Sequence, residues 1–218
     1  MPDRTPVNSG ARPVVLAMLK TPRPGTVKTR LGVEIGFEQA AQIYRLLAER
    51  QLSAVPTDWR TEIHFAPAGA GAEMQAWLGA RHGYFPQVEG DLGRRLSDAV
   101  AGAFGRGADS VLVVGGDCPD LNEAGLREAA TALQTSDAVL GPALDGGYYL
   151  IGLHRPALHV FNDIPWSTGN VLEATLARIA EGQLSHALLT PKEDIDDFSA
   201  LSRFISQTAD PGFSRFFD

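Results

Sequence analysis

Residues 13–20, PVVLAMLK, form an unbroken apolar run that ends in a segment rich in proline and glycine. A strand with one face in water alternates apolar and polar positions, so a run without alternation needs cover on both faces. A second such run, VLVV at 111–114, is followed at once by Gly115, Gly116 and Asp117. Helical patterns separate these strands. Ala40, Ile43, Tyr44 and Leu47 recur at helical spacing within 38–52, and Leu92, Leu96, Val100 and Ala103 share one side of a helix over 91–107. TEIHFAP (61–67) alternates Ile63 and Phe65 as a strand, and Asn122 is a plausible cap for a helix over 122–133. Two short apolar runs within 137–153 flank Asp145-Gly146-Gly147, a turn signal. Leu172, Leu176 and Ile179 mark a helix that stops at Gly182, HALLT (186–190) is a short strand, and residues 194–206 give a last helix capped by Asp196 or Asp197.

Strands alternating with helices predict an α/β chain with a three-layer α/β/α architecture: a mostly parallel sheet plus an antiparallel element at the hairpin. No repeat or linker interrupts the pattern. Residues 13–218 are expected to form a single domain, preceded by a flexible segment at 1–12.

The charge pattern narrows the ligand. The chain carries a formal charge of -7, which argues against nucleic-acid binding through a broad basic surface. Yet residues 12–33 contain no acid, while Lys20, Arg23, Lys28 and Arg30 fall within the loop that follows the first strand. That loop is neither G-x-x-x-x-G-K-[ST] nor G-x-G-x-x-G, so the two familiar phosphate loops are excluded. Pro22 and Pro24 stiffen it and Gly25 frees its turn. Fixed cations of this kind suit a polyphosphate, because arginine grips oxygens bidentately and lysine acts as a point charge. A solvated basic loop is the plainer alternative.

Acids gather at other predicted strand ends. Asp117 lies just past the second apolar run, a placement suited to Mg²⁺, which takes one or two carboxylates plus substrate phosphates. Asp120 reads more readily as a helix cap. In PKEDIDDF, Asp196 could supply a second carboxylate while Asp197 caps, although acids at a helix start are common in any case. In open α/β sheets ligands collect at the carboxyl ends of strands, where these loops are all expected to lie. Asp91 in QVEGDLGRRL is explained equally well as a cap, and Asp145 in LDGGYY as part of an ordinary hairpin turn. Ser167 and Thr168 read as N-caps rather than nucleophiles.

Other chemistries find little support. Cys118 is alone, which excludes an internal disulfide and a cysteine-rich zinc site, and it is expected to be buried beneath the loop. His64, His82, His154, His159 and His186 show neither metal spacing nor a triad pairing. No run approaches the roughly 20 apolar residues of a membrane helix, and the N-terminus lacks a signal-like apolar core, so no membrane partner and a cytoplasmic location are expected.

Taken together, KTPRPGTVKTRL, GDLGRRL, GGDCPDL, GPALDGGYYLIGL, WSTGNVLEATL and DIDDFSAL resemble the nucleotide-diphospho-sugar transferase superfamily, with its glycosyltransferase-A/nucleotidyltransferase-like fold. More narrowly they resemble a bacterial transferase family associated with radical-SAM and selenium-related genes. A looser likeness links the K-T-R-L loop, the G-D-L segment and the D-I-D ending to phospholactate guanylyltransferases. The likeness spans about residues 14–201. It implies that Lys20, Lys28 and Arg30 meet phosphates; Arg23, Gly25, Gly90 and Asp91 are the further candidates for the nucleotide side. It further implies that Asp117 and Asp196 hold Mg²⁺ or Mn²⁺, and that Asp145, Gly146, Gly147 and Ser167 line the acceptor side. The chain departs from the D-x-D and G-x-G-T-R forms of typical members.

The resulting expectation is a metal-dependent transferase moving a nucleotidyl group from a nucleoside triphosphate to a small acceptor, with Lys28, Arg30 and Asp117 catalytic. The alternatives are glycosyl transfer from a nucleotide-sugar and a nucleotide-binding module without turnover. A homodimer is left open.

Overall fold

The computed structural model describes residues 12–208 and 211–214; residues 1–11 of the predicted flexible segment lie outside them. The chain runs β1 (Val14–Lys20), α1 (Thr29–Ile35), α2 (Phe37–Ser53), β2 (Thr61–Ala66), α3 (Gly71–Leu78), β3 (Gly83–Pro86), α4 (Leu92–Gly105) and β4 (Val111–Val114). It continues through α5 (Glu123–Ala132), β5 (Ala138–Pro142), β6 (Tyr148–Leu153), α6 (Val171–Glu181), β7 (His186–Leu188), α7 (Phe198–Thr208) and α8 (Pro211–Ser214). The seven strands form one sheet in the order β3-β2-β1-β4-β6-β5-β7. Only β6 runs antiparallel, pairing with β4 on one side and β5 on the other.

The unbroken apolar runs feed two cores at once. Val15, Ala17 and Leu19 of β1 face one core with Leu112 and Val114 of β4, covered by Ala48 and Leu52 of α2, Met74 of α3 and Leu126 of α5. Val14 and Leu16, with Val111 and Val113, face the opposite core beneath Leu96, Val100 and Ala103 of α4 and Ile179 of α6. This is the predicted three-layer architecture: each central strand is buried on both sides because helices lie on both sides. A smaller core joins Leu31 of α1, Ile43 and Leu47 of α2, and Leu201 and Phe204 of α7. No described helix is long and apolar enough to cross a membrane.

Several local expectations change. β2 is not half-exposed: Glu62 and His64 are buried as thoroughly as Ile63 and Phe65. Arg106, just beyond α4, covers this second face. Its Nε and a terminal nitrogen donate to Glu62 Oε1 and Oε2 at 3.1 and 2.5 Å, and its guanidinium lies 3.9 Å over the Phe85 ring. Leu92, expected on the inner side of α4, is 43% exposed, because it occupies the first position of the helix, over a cavity. Gly182 does stop α6, but not through a left-handed backbone. Gln183 takes the positive φ (53°), and Gly182 is required because a Cβ there would collide with the His159 ring.

Burial works against the Glu62 charge, but hydrogen bonds from His64 and Arg106 outweigh it and hold the carboxyl down at about 2. A depressed folded pKa stabilises the fold above the unfolded value and is lost as pH falls through the folded one. Glu62→Gln is therefore expected to cost roughly 3 kcal/mol at pH 7, with the deficit shrinking from about pH 4.5 towards pH 2. Urea unfolding of both proteins across that range checks it; a pH-independent deficit would contradict the assignment.

Candidate functional site

β1 and β4 are parallel neighbours whose next strands lie on opposite sides: β2 flanks β1, while β5 lies beyond β4 and β6. Such a switch point opens a crevice at the carboxyl ends of the two strands. The loop after β1 is built to turn into it. Thr21 is buried and its N–H donates to the Ala66 carbonyl, and the Thr26 N–H closes a turn onto the Arg23 carbonyl. Gly25 takes φ 76°. Val27 then anchors the loop by packing against Ala41 and Tyr44 of α2. Lys28, next in sequence, adopts a left-handed backbone (φ 46°, ψ 46°) at the N-terminus of α1.

The side chain of Lys28 is 4% exposed. Its Nζ lies 2.7 Å from Asp117 Oδ1 and donates a hydrogen bond to Asp196 Oδ1 at 2.8 Å. The approach to Asp117 is off the hydrogen-bond axis, so that buried oxygen has an ionic contact but no aligned donor. Burial opposes the Lys28 charge, but Asp117 and Asp196 outweigh it and raise its pKa. Asp196 is likewise opposed by burial, yet Lys28 and then Arg30 lower its pKa.

Backbone packing fixes the acidic partners. Gly116 passes so close to α2 and β1 that a Cβ would meet Leu19 Cδ2 at 2.8 Å, which sets where Asp117 emerges beyond β4. The Ile195 N–H donates to the Asp117 carbonyl at 2.9 Å and docks the acidic segment before α7 onto this loop. Asp197 caps α7 by accepting from the Ala200 N–H at 2.9 Å, leaving Asp196 to face Lys28. Asn122 caps α5 through the Gly125 N–H, the role considered for Asp120.

Two adjoining cavities open here. The larger, about 580 Å³, is walled by Lys20, Lys28, Arg30, Arg95, Tyr44, Asp117, Asp196 and Ser167 among others. The smaller, about 260 Å³, shares Met18, Leu92 and Asp117, and adds Val113, Ile151, Tyr148, Tyr149, Gln51 and Asp194. Burial and then the Asp117 charge push Asp194 up to about 7. Five of the polar side-chain atoms buried without hydrogen-bond partners belong to residues on these walls: Arg95 Nε, Gln51 Nε2, Asp117 Oδ1, Asp194 Oδ1 and Tyr148 Oη. Buried groups of this kind are costly unless something satisfies them.

Other candidate residues lie elsewhere. Arg23 is half-exposed and ion-paired with Glu73 of α3 at 2.5 Å; neither it nor Gly25 lines either of these two cavities. Asp91 accepts from the Arg94 N–H at 2.8 Å and caps α4, with Gly90 (φ 129°) behind it; both stand off the cavity walls. Asp145 Oδ1 accepts from the Gly147 N–H, forming the hairpin turn. Gly146 has φ 89°, and a Cβ there would collide with the Gly169 carbonyl; its own carbonyl accepts from the Leu172 N–H. This brings the Asp145–Gly147 turn against the Ser167 loop, although Ser167 alone of the four acceptor candidates lines either of these two cavities. Neither Ser167 nor Thr168 caps α6: Ser167 takes φ 64°, Thr168 Oγ1 donates to the Pro165 carbonyl, and Asn170 occupies the cap position. Arg95 and Gln51 escaped the sequence reading. Arg95 had a signal, since it follows Leu92 by three on α4; Gln51 sits on a helix face that reads only as core.

No curated protein matches the sequence. Among solved structures, a Desulfovibrio desulfuricans G20 protein provisionally named a nucleotide-diphospho-sugar transferase is 34% identical, over 93% of this chain and 90% of that one, with a TM-score of 0.85. A nucleotidyl transferase of Methanothermobacter is 18% identical over 92% and 98% of the two chains (TM-score 0.58). Rv0371c of Mycobacterium tuberculosis H37Rv, crystallised with manganese, is 15% identical over 90% and 100% (TM-score 0.57). The last two establish a shared fold, that of the nucleotidyltransferases and nucleotide-diphospho-sugar transferases. The family model described as "Uncharacterized protein conserved in bacteria (DUF2064)" matches residues 51–168, more than half of the chain, and the protein belongs to that family.

Proposed function

We propose that the chain is a metal-dependent nucleotidyltransferase that moves a nucleotidyl group from a nucleoside triphosphate to a small acceptor. One observation carries this reading: Lys20, Lys28, Arg30 and Arg95 share a single cavity wall with Asp117 and Asp196 at the ends of β1 and β4. That is the charge pattern a polyphosphate and its counter-ion require.

The carboxylates fit a hard divalent cation. Asp117 and Asp196 already bring one oxygen each to a single positive centre, the Lys28 ammonium. No described group of three or more His, Cys, Asp or Glu forms a complete protein cage. Two carboxylates needing phosphate oxygens to finish the coordination match Mg²⁺, or Mn²⁺ in its place. Such an ion would supply Lewis-acid neutralisation of phosphate charge. The manganese complex of Rv0371c supports that choice.

The remaining work falls to the chain itself. An acceptor oxygen forms the new bond to the α-phosphorus as the α–β bridging bond breaks and pyrophosphate leaves. Lys28 and Arg30 neutralise the departing charge, and Lys20 and Arg95 orient the polyphosphate. Ser167, the Asp145–Gly147 turn and the smaller cavity form the acceptor side. The provisional name of the Desulfovibrio protein favours a second reading, glycosyl transfer from a nucleotide-sugar.

Incubation with Mg²⁺, small acceptors, and either nucleoside triphosphates or sugar nucleotides separates the two. Pyrophosphate release from a triphosphate is expected. Nucleoside diphosphate release from a sugar nucleotide would replace this reading with the second, and nucleotide binding with neither product would indicate a module without turnover.

A further inference from the structure

We infer that Lys28 acts as a built-in cation that closes the metal position until a polyphosphate draws it away, so that divalent-ion entry depends on the nucleotide. The inference rests on the proposed metal role of Asp117 and Asp196 and adds an order of events.

The geometry is specific. Lys28 Nζ stands 2.7 and 2.8 Å from one oxygen of each of the two carboxylates that would hold the divalent ion. Two cations cannot share that point, because their repulsion at such separations exceeds what half-exposed carboxylates return. The contact is not a generic surface pair: the lysine side chain is 4% exposed, and Asp117 and Asp196 converge on it from loops far apart in sequence.

The arrangement also provides a way out. Lysine is a point charge on a flexible stem, and its ammonium can pivot where a bidentate arginine could not. The main chain at Lys28 is held by the packing of Val27 on α2, so the side chain can move while the loop stays. Phosphate oxygens entering the larger cavity meet Lys28 beside Arg30 and Lys20, and offer the ammonium new partners. Once it turns to them, both carboxylates are bare and the site favours a divalent ion. Without nucleotide, the lysine suppresses metal binding that would serve no reaction.

Mn²⁺ alone is the probe, with free ion counted by electron paramagnetic resonance and no nucleotide present. Lys28→Met keeps the length of the stem and removes its charge. It is expected to bind Mn²⁺ about tenfold or more tightly than the wild type, and adding Asp117→Asn to it should abolish the gain. Circular dichroism and thermal unfolding confirm that each variant is folded. Equal Mn²⁺ affinity in wild type and Lys28→Met, both dependent on Asp117, would overturn the lysine gate and leave the metal site standing. A gain that survives Asp117→Asn, or no Mn²⁺ binding by Lys28→Met, would remove both.

Discussion

Asp117→Asn is expected to lower pyrophosphate release roughly 10²- to 10³-fold while moving the thermal midpoint by only a few degrees. The size of the loss follows from what such a group supplies. Removing one preorganised electrostatic partner of a reacting centre typically costs about that factor. The small structural effect follows from how Asp117 is placed. Gly116 packing against Leu19 and the Ile195 N–H bond to the Asp117 carbonyl both act through the backbone, which asparagine preserves. The side chain itself is 39% exposed, and Asp196 remains to pair with Lys28. Initial rates and thermal unfolding of the same preparation test both halves; unimpaired turnover would take Asp117 out of the reaction.

Substitution of Lys28 should separate binding from stability. Lys28→Ala is expected to weaken triphosphate binding about 10- to 100-fold, the range for a lost charge-assisted contact, with nucleoside binding almost unchanged. Equal losses for both ligands would rule out a phosphate contact. Lys28→Gly should lose the same affinity yet be the more stable of the two. A left-handed backbone at φ 46° costs any residue with a Cβ about 1 kcal/mol, and glycine is spared it. In a chain of this size that is worth roughly 2–4 °C in thermal midpoint. The wild type therefore keeps a strained lysine where glycine would fold better, as expected where backbone strain serves a site. Either variant should also alter the acid limb of stability. The lowered Asp196 pKa stabilises the fold above its unfolded value and is lost as pH falls through the folded one, and part of that lowering comes from Lys28.

The parts of this molecule legible in its sequence are those whose cause is local. PVVLAMLK and VLVV announce strands with two buried faces, and the helical stripes through Ile43, Leu96 and Ile179 announce their cover. The Asp145-Gly146-Gly147 signal marks the hairpin that makes β6 antiparallel. Short elements were not legible. α1, α3 and β3 are only four to eight residues long, too short for a sustained period: α3 offers a single helical repeat, Met74, Trp77 and Leu78, of which only Met74 is fully buried. Features that depend on a distant partner were equally hidden. Nothing near Glu62 indicates that Arg106 will cover it, and nothing near Arg23 indicates Glu73.

The candidate site divides the same way. Cations after β1 and acids after β4 are visible along the chain, and a parallel sheet gathers loops at one edge. The pairing of Lys28 with both Asp117 and Asp196 depends on Ile195 docking against the β4 loop, a contact across the fold. Arg95 enters the cavity only through the pitch of α4, and Asp194 reaches the smaller cavity only because its segment lies beside Gly115, Asp117 and Cys118 of the β4 loop.

Calorimetric titration of the wild-type protein with a panel of nucleoside triphosphates, with and without Mg²⁺, tests the central claim most directly. At least one triphosphate should bind, at least about tenfold more tightly with Mg²⁺ than without it. No binding by any triphosphate, or an affinity indifferent to Mg²⁺, would contradict a cavity in which phosphates and a divalent ion meet between Lys28 and the two carboxylates.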